Sequence, residues 1–114
     1  VAKLTGVKTV AAHCDIPCKI YDPYIAQYAA LSVVRQMDLI AELEGQDSLS
    51  LADQAKLSRL VAEKEHQAEA VKKEVRVIWG DYFKAPQFEQ FPETSELVHK
   101  IMLNFQFEPS CLNE

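Results

Sequence analysis

Glycine, proline and cysteine are scarce in this chain of 114 residues, which holds three glycines, five prolines and three cysteines. Low contents of glycine and proline exclude a low-complexity, disordered sequence, and a hydrophobic share of 48% is typical of a globular protein. Three cysteines cannot all pair within one chain, which excludes a disulfide-rich secreted scaffold. The composition therefore favours one small globular domain.

An excess of positive charge and long apolar runs are also missing. Lysine and arginine together number 12 against 17 for aspartate and glutamate, so the formal net charge is −5. Proteins that bind nucleic acids normally present a basic face, and this balance argues against such a partner. No apolar run reaches the ~18 residues that a transmembrane helix needs. We therefore expect no nucleic acid partner and no transmembrane segment, and we expect an intracellular protein, cytoplasmic or organellar.

Apolar residues recur three and four positions apart in three long segments, which is the spacing of an amphipathic helix. The pattern predicts helices from about Pro23 to Leu43, from about Leu51 to Tyr82 and from about Pro92 to Phe105. The segment from Lys84 to Pro92 carries two prolines and is expected to be a connecting loop. The sequence thus predicts an all-α fold, an antiparallel bundle of three helices.

Capping signals mark the ends of the first two predicted helices. Asp22 followed by Pro23 favours a helix start, with aspartate at the N-cap and proline at the first helical position. Gly45 is expected to end the first helix. Ser50, followed three residues later by Asp53, resembles a capping box in which aspartate replaces the more usual glutamate. The two helices are therefore expected to be joined by a short polar turn.

The second predicted helix carries an apolar seam along most of its length. The seam residues are Leu57, Leu60, Lys64, Ala68, Val71, Val75, Ile78 and Tyr82, of which lysine alone is charged. Roughly 30 residues would make a rod of about 45 Å, and a lone amphipathic helix is only marginally stable in water. We therefore expect this helix to pack against other helices or another subunit, in a homo-oligomer or as part of a larger complex.

Aromatic residues cluster at the end of the second helix and just beyond it, at Trp79, Tyr82, Phe83, Phe88 and Phe91. Aromatic side chains supply large apolar areas where elements of a fold meet. We interpret this cluster as a packing corner in preference to a ligand pocket.

An imidazole and two thiols lie within six residues near the start of the chain, at His13, Cys14 and Cys18. Pro17 stiffens the turn between the thiols. Thiolate and imidazole together suit zinc, copper, nickel or iron. The same pair of cysteines could also be two buried thiols, a redox pair or half of a zinc site. Cys111 is expected to be a plain thiol, because nothing in the nearby sequence converges on it.

Two separate motifs resemble one protein family. The segment His13–Cys18, with the residues His-Cys-Asp-Ile-Pro-Cys, followed by Tyr21–Pro23, resembles the nickel hook of the nickel-containing superoxide dismutases. Far downstream, Trp79–Lys84 followed by Pro86 resembles the W-x-D-Y-F-K-x-P segment of that family. The resemblance runs from about His13 to about Leu103, and two motifs in the right order make it far more specific than the hook alone.

The resemblance implies a superoxide dismutase with a nickel ion as its cofactor, which converts superoxide to oxygen and hydrogen peroxide through Ni(II) and Ni(III). In that family a pro-segment is removed, so that the histidine of the hook becomes the N-terminus. The amine and imidazole ligands then correspond to His13, the amide and one thiolate to Cys14, and the second thiolate to Cys18. Tyr21 corresponds to a tyrosine that admits small anions and orders water. The implied metal ligands are therefore His13, Cys14 and Cys18. The implied catalytic residues are these three ligands together with Tyr21.

The chain is expected to consist of a short arm followed by one domain. Residues 1–12 are expected to be an N-terminal arm or pro-segment, and residues 13–114 a single nickel superoxide dismutase-like helical domain. Compared with the family, the fourth helix of its bundle is expected to be lacking. The glutamate and arginine that steady the axial histidine in the family correspond to Ala29 and Gln67 here. These departures motivate an alternative, a non-catalytic structural subunit descended from such an enzyme, and a thiol redox or zinc-binding module is a third hypothesis.

Overall fold

The computed structural model describes residues 16–17 and 19–105, and this part of the chain is helical without a strand. Its helices are α1 (Tyr24–Glu44), α2 (Leu51–Val77), a π-helix (Ile78–Tyr82), α3 (Ala85–Gln90) and α4 (Thr94–Asn104). The predicted all-α class is therefore confirmed, with α1, α2 and α4 as the three predicted helices. The predicted N-terminal arm and most of the hook lie outside the described residues.

Local hydrogen bonds fix the end of α1 and the start of α2 where the sequence predicts them, whereas the N-cap of α1 is Pro23 and not the predicted Asp22. Asp22 Oδ1 accepts a hydrogen bond from the backbone N–H of Tyr24 at 2.8 Å, and the N–H of Gly45 donates to the carbonyl of Ala41 at 3.1 Å. At the next helix, Ser50 Oγ accepts from Asp53 N–H at 3.1 Å, while Asp53 Oδ2 accepts from Ser50 N–H at 3.4 Å. The capping box is thus confirmed, and it satisfies N–H groups that have no partner within the helix.

The helices α1 and α2 form an antiparallel pair that contains most of the buried core. A short turn joins them, and residues at the start of α1 line the same groove as residues at the end of α2. The buried apolar residues of the described chain are Ala26, Ala29, Val33 and Leu43 on α1, with Ala68 and Val71 on α2. Three of these six are alanines, so Val33, Leu43 and Val71 are the larger side chains among them.

The structure corrects two details of the predicted helices. The second helix changes from α to π geometry at Ile78, and the N–H of Phe83 donates to the carbonyl of Ile78 at 3.3 Å. The segment from Lys84 to Pro92 is not a loop, because residues Ala85–Gln90 form α3. The prediction was wrong because Pro86 lies in the first turn, where a missing N–H breaks no helical hydrogen bond.

The outer face of α1 carries large apolar side chains that the described residues leave exposed. Tyr24, Tyr28, Leu31 and Val34 are each more than half exposed. They lie on the side of α1 opposite to its buried residues, as their three- and four-residue spacing dictates. None of the described helices combines the length and the apolar character needed to cross a membrane.

Candidate metal-binding hook and adjoining cleft

The three predicted metal ligands, His13, Cys14 and Cys18, lie outside the described residues, so their roles stay predictions. The described part of the chain contains no group of three or more histidine, cysteine, aspartate or glutamate residues that could hold a metal ion. The structure does describe the residues that flank Cys18 on both sides, together with Tyr21.

Tyr21 closes the loop that contains Cys18. Its hydroxyl group donates a hydrogen bond to the backbone carbonyl of Ile16 at 2.9 Å, and both groups are partly buried. The bond joins residues five apart in sequence, so it draws the two sides of the Cys18 segment together. Tyr21 therefore holds the shape of the loop, in addition to the role that its correspondence with the family tyrosine predicts.

Lys19 lies within this closed loop in a backbone conformation that is unusual for its type. Its φ is 77°, in the left-handed region that favours glycine. For a residue with a Cβ atom this conformation costs roughly 1 kcal/mol, because the side chain approaches the following carbonyl oxygen. The side chain of Lys19 is exposed. The loop thus stores a small amount of strain directly after Cys18.

A cleft of about 560 Å³ lies beside the loop. Its walls come from the loop and the start of α1 on one side, and from the end of the second helix on the other. The lining residues are Lys19, Tyr21, Asp22, Pro23, Ile78, Tyr82 and Phe83. The cleft is open to solvent, and its lining begins at Lys19, the residue that follows the predicted ligand Cys18 in the sequence.

Tyr82 forms part of the cleft wall, which the sequence did not indicate. Its ring lies 5.7 Å from the ring of Tyr21, centre to centre, at an angle of 49°. The π-helix carries Tyr82 to this position. Phe83 contacts Phe88 at 5.5 Å, so the interpretation as a packing corner fits these two residues, whereas Tyr82 also faces the candidate site. The one feature of the sequence that could have pointed to Tyr82 is its place within the second family motif, Trp79–Lys84.

The two positions that differ from the family have ordinary structural roles here. Ala29 is 2% exposed and packs within the α1–α2 interface. Gln67 Nε2 donates a hydrogen bond to Glu63 Oε1 at 2.9 Å, one turn earlier on α2. Neither position supplies the carboxylate or guanidinium that the resemblance associates with the axial histidine.

A second groove, of about 310 Å³, lies between α1, α2 and α4. Ala30, Val75 and Ile101 are typical of its almost entirely apolar walls. A site that orients a small polar substrate needs converging polar groups. The groove offers almost none, so the cleft beside the hook is the better candidate site.

Comparisons with known proteins point to the same family as the resemblance. The family model described as nickel-containing superoxide dismutase matches residues 8–107. A protein named superoxide dismutase [Ni] from Streptomyces coelicolor is 43% identical over 91 residues, which cover 80% of this chain and 63% of that protein. The protein of the same name from Streptomyces seoulensis is 40% identical over the same coverage. A solved structure of native nickel superoxide dismutase matches with a TM-score of 0.63 and 38% identity, covering 82% of this chain and 73% of that one.

The chain belongs to the nickel-containing superoxide dismutase family, because the family model spans most of its length. The match to the solved structure agrees with the observed helical bundle. The chain spans 63% of the length of both Streptomyces relatives, that is, less than two thirds.

Proposed function

We propose that this protein is a superoxide dismutase whose nickel ion is held by the hook at His13, Cys14 and Cys18. The observation that carries the proposal is the hydrogen bond from the Tyr21 hydroxyl to the Ile16 carbonyl. It joins two residues that lie on either side of Cys18 in the sequence, and Tyr21 also lines the adjoining cleft. Family membership and the names of the Streptomyces relatives support the same reaction.

The chemistry of the donors fits nickel. The amine of His13, the deprotonated amide and thiolate of Cys14 and the thiolate of Cys18 would supply nitrogen and sulfur donors, which suit Ni(II). The His13 side chain would add an imidazole. Closure of the loop by Tyr21 favours convergence of the donors, because it shortens the distance between the residues on either side of Cys18. Binding would require both thiols to lose their protons.

The chemistry that a bound nickel ion supplies is one-electron transfer between its divalent and trivalent states, so that one superoxide is oxidised to oxygen and a second is reduced, with two protons, to hydrogen peroxide. The chain provides the donors at His13, Cys14 and Cys18. Tyr21 orients the loop through its bond to Ile16. Tyr82 packs against the Tyr21 ring at 5.7 Å and restricts its movement.

The cleft favours a small substrate. Tyr21 and Tyr82 line its wall, and tyrosine combines an apolar ring with a polar hydroxyl group. A small anion and a few water molecules fit within about 560 Å³. Both Streptomyces relatives are named as dismutases, which supports this reading and gives no support to the structural-subunit or thiol-redox alternatives.

The proposal is tested by comparing a chain that begins at His13 with a chain that begins at Val1, each confirmed by intact mass. After nickel loading, elemental analysis is expected to give close to one nickel per chain for the first form, and stopped-flow measurement should show catalytic loss of superoxide. The Val1 form is expected to bind nickel poorly, because its His13 nitrogen is a peptide amide. Stoichiometric nickel without turnover in the His13 form would refute the proposal.

Tyr21→Phe removes the hydroxyl group that closes the loop and keeps the ring. A net contribution of about 1 kcal/mol from this hydrogen bond predicts that nickel is lost to a competing chelator about five times faster. Tyr28→Phe is the matched control, because Tyr28 is exposed on the outer face of α1. Equal rates of nickel loss in the two variants would show that the Tyr21–Ile16 bond does not support the hook.

A further inference from the structure

The backbone strain at Lys19 calls for an explanation in terms of its side chain. Glycine adopts a φ of 77° without cost, whereas lysine does not. Strained residues that persist at the edge of a candidate site often have a function there. The side chain of Lys19 is long, exposed and positively charged.

The distribution of charge around the cleft indicates a function for the Lys19 side chain. The chain carries a net charge of −5, which repels anions at a distance. Among the described residues that line the cleft, Lys19 is the sole cation. It forms no ion pair within the described part of the chain, whereas Lys72 and Lys100 each pair with a glutamate on their own helix. Asp22 also lines the cleft, but its Oδ1 accepts a hydrogen bond from the first turn of α1.

We propose that Lys19 steers small anions into the cleft beside the predicted ligand Cys18. Its ammonium group offsets the negative charge of the chain in the lining of the cleft, one residue after Cys18 in the sequence. The inference rests on the proposed function for the identity of the anion, superoxide, and on the geometry of Lys19 for the site. It deepens that function by naming a residue that sets the rate of substrate entry.

The first test uses thiol alkylation in the metal-free chain and needs no turnover. Iodoacetate is an anion and iodoacetamide is neutral, so the ratio of their rates at Cys18, followed by peptide mass spectrometry, reports attraction of anions. Lys19→Gln is expected to lower this ratio about three- to fivefold at low ionic strength, the effect of one unit charge acting over several ångströms of water. The difference should shrink near 1 M salt, where the screening length is about 3 Å.

Two controls separate the local charge from other effects. Lys56→Gln makes the same change in net charge, but Lys56 is exposed on α2, roughly 30 Å along the helix from the cleft. It is expected to leave the ratio unchanged. Lys19→Arg keeps the charge and is expected to keep the ratio. An unchanged ratio in Lys19→Gln, or an equal fall in Lys56→Gln, would overturn the inference.

A glycine variant distinguishes the charge from the backbone. Lys19→Gly is expected to lower the alkylation ratio as much as Lys19→Gln, since both remove the ammonium group. Thermal stability is expected to rise in the glycine variant alone, because only glycine relieves the strain. A lower ratio in the glycine variant with no change in the glutamine variant would assign the effect to backbone conformation and refute steering.

The second test measures superoxide consumption by the nickel-loaded chain that begins at His13. Lys19→Gln is expected to lower the second-order rate constant by a similar factor and to flatten its dependence on ionic strength. If the unsubstituted chain binds nickel but does not consume superoxide, the proposed function fails, and the alkylation ratio still decides the role of Lys19. If it is active and both the rate constant and the ratio are unchanged in Lys19→Gln, the steering inference alone fails.

Discussion

Cys18→Ser, in a chain that begins at His13, is expected to abolish stoichiometric nickel binding and to reduce superoxide turnover to background. A thiolate is a strong, soft donor, whereas a serine hydroxyl stays protonated at neutral pH and binds nickel poorly. Elemental analysis measures the nickel per chain, and stopped-flow spectroscopy measures turnover. Far-ultraviolet circular dichroism checks that the helices are retained, so that loss of nickel is not a consequence of unfolding.

Cys111→Ser is the matched control for this substitution, because it makes the same chemical change at the cysteine that the sequence predicts to be a plain thiol. It is expected to leave nickel content and turnover unchanged, while Cys14→Ser should behave like Cys18→Ser. Retention of one nickel per chain in Cys18→Ser would contradict the proposed ligand set. Loss of nickel in Cys111→Ser would show that the third thiol takes part.

Leu43→Ala is expected to lower the free energy of unfolding by about 2–5 kcal/mol, the usual cost of removing a buried leucine side chain. Leu43 is 3% exposed and is the largest of the six buried apolar residues in the described chain. Small domains have total stabilities of only about 5–15 kcal/mol, so this one change removes a large fraction. Urea unfolding followed by circular dichroism measures the difference.

Leu31→Ala makes the same change on the outer face of the same helix, where Leu31 is 70% exposed. It is expected to alter the free energy of unfolding by no more than about 0.5 kcal/mol, as for most surface substitutions. Comparable losses in Leu31→Ala and Leu43→Ala would contradict the assignment of the core to the α1–α2 interface.

The sequence predicted those parts of the fold that depend on local interactions. Ser50 and Asp53 form their capping box within four residues, so the start of α2 needs no information from the rest of the chain. The π-helix is different, since Tyr82 continues the three- and four-residue spacing of the helix and gives no sign of changed geometry. The short α3 was missed because Pro86 was interpreted as a helix breaker, although it is compatible with a first turn.

The two family motifs were enough to name candidate site residues. The contacts between those residues could not be predicted from the sequence. Tyr21 was identified by its place after the hook, yet its hydrogen bond to Ile16 depends on how the loop folds. Contact between Tyr21 and Tyr82 joins distant parts of the sequence and requires the antiparallel pairing of α1 and α2. The conformation of Lys19 could not be foreseen, because lysine has no preference for positive φ.

The π-helix makes the end of the second helix tolerant of a single-residue deletion. A π-type hydrogen bond spans five residues where an α-type bond spans four, so the segment Ile78–Tyr82 accommodates one extra residue. Deletion of Gly80, which has open space around it, would allow the segment to return to α geometry. Because the π segment absorbs the extra residue, this deletion would leave Tyr82 at nearly the same angle around the helix. Loss of one residue from the regular part of α2 would instead rotate everything after it by about 100° and turn Tyr82 away from Tyr21.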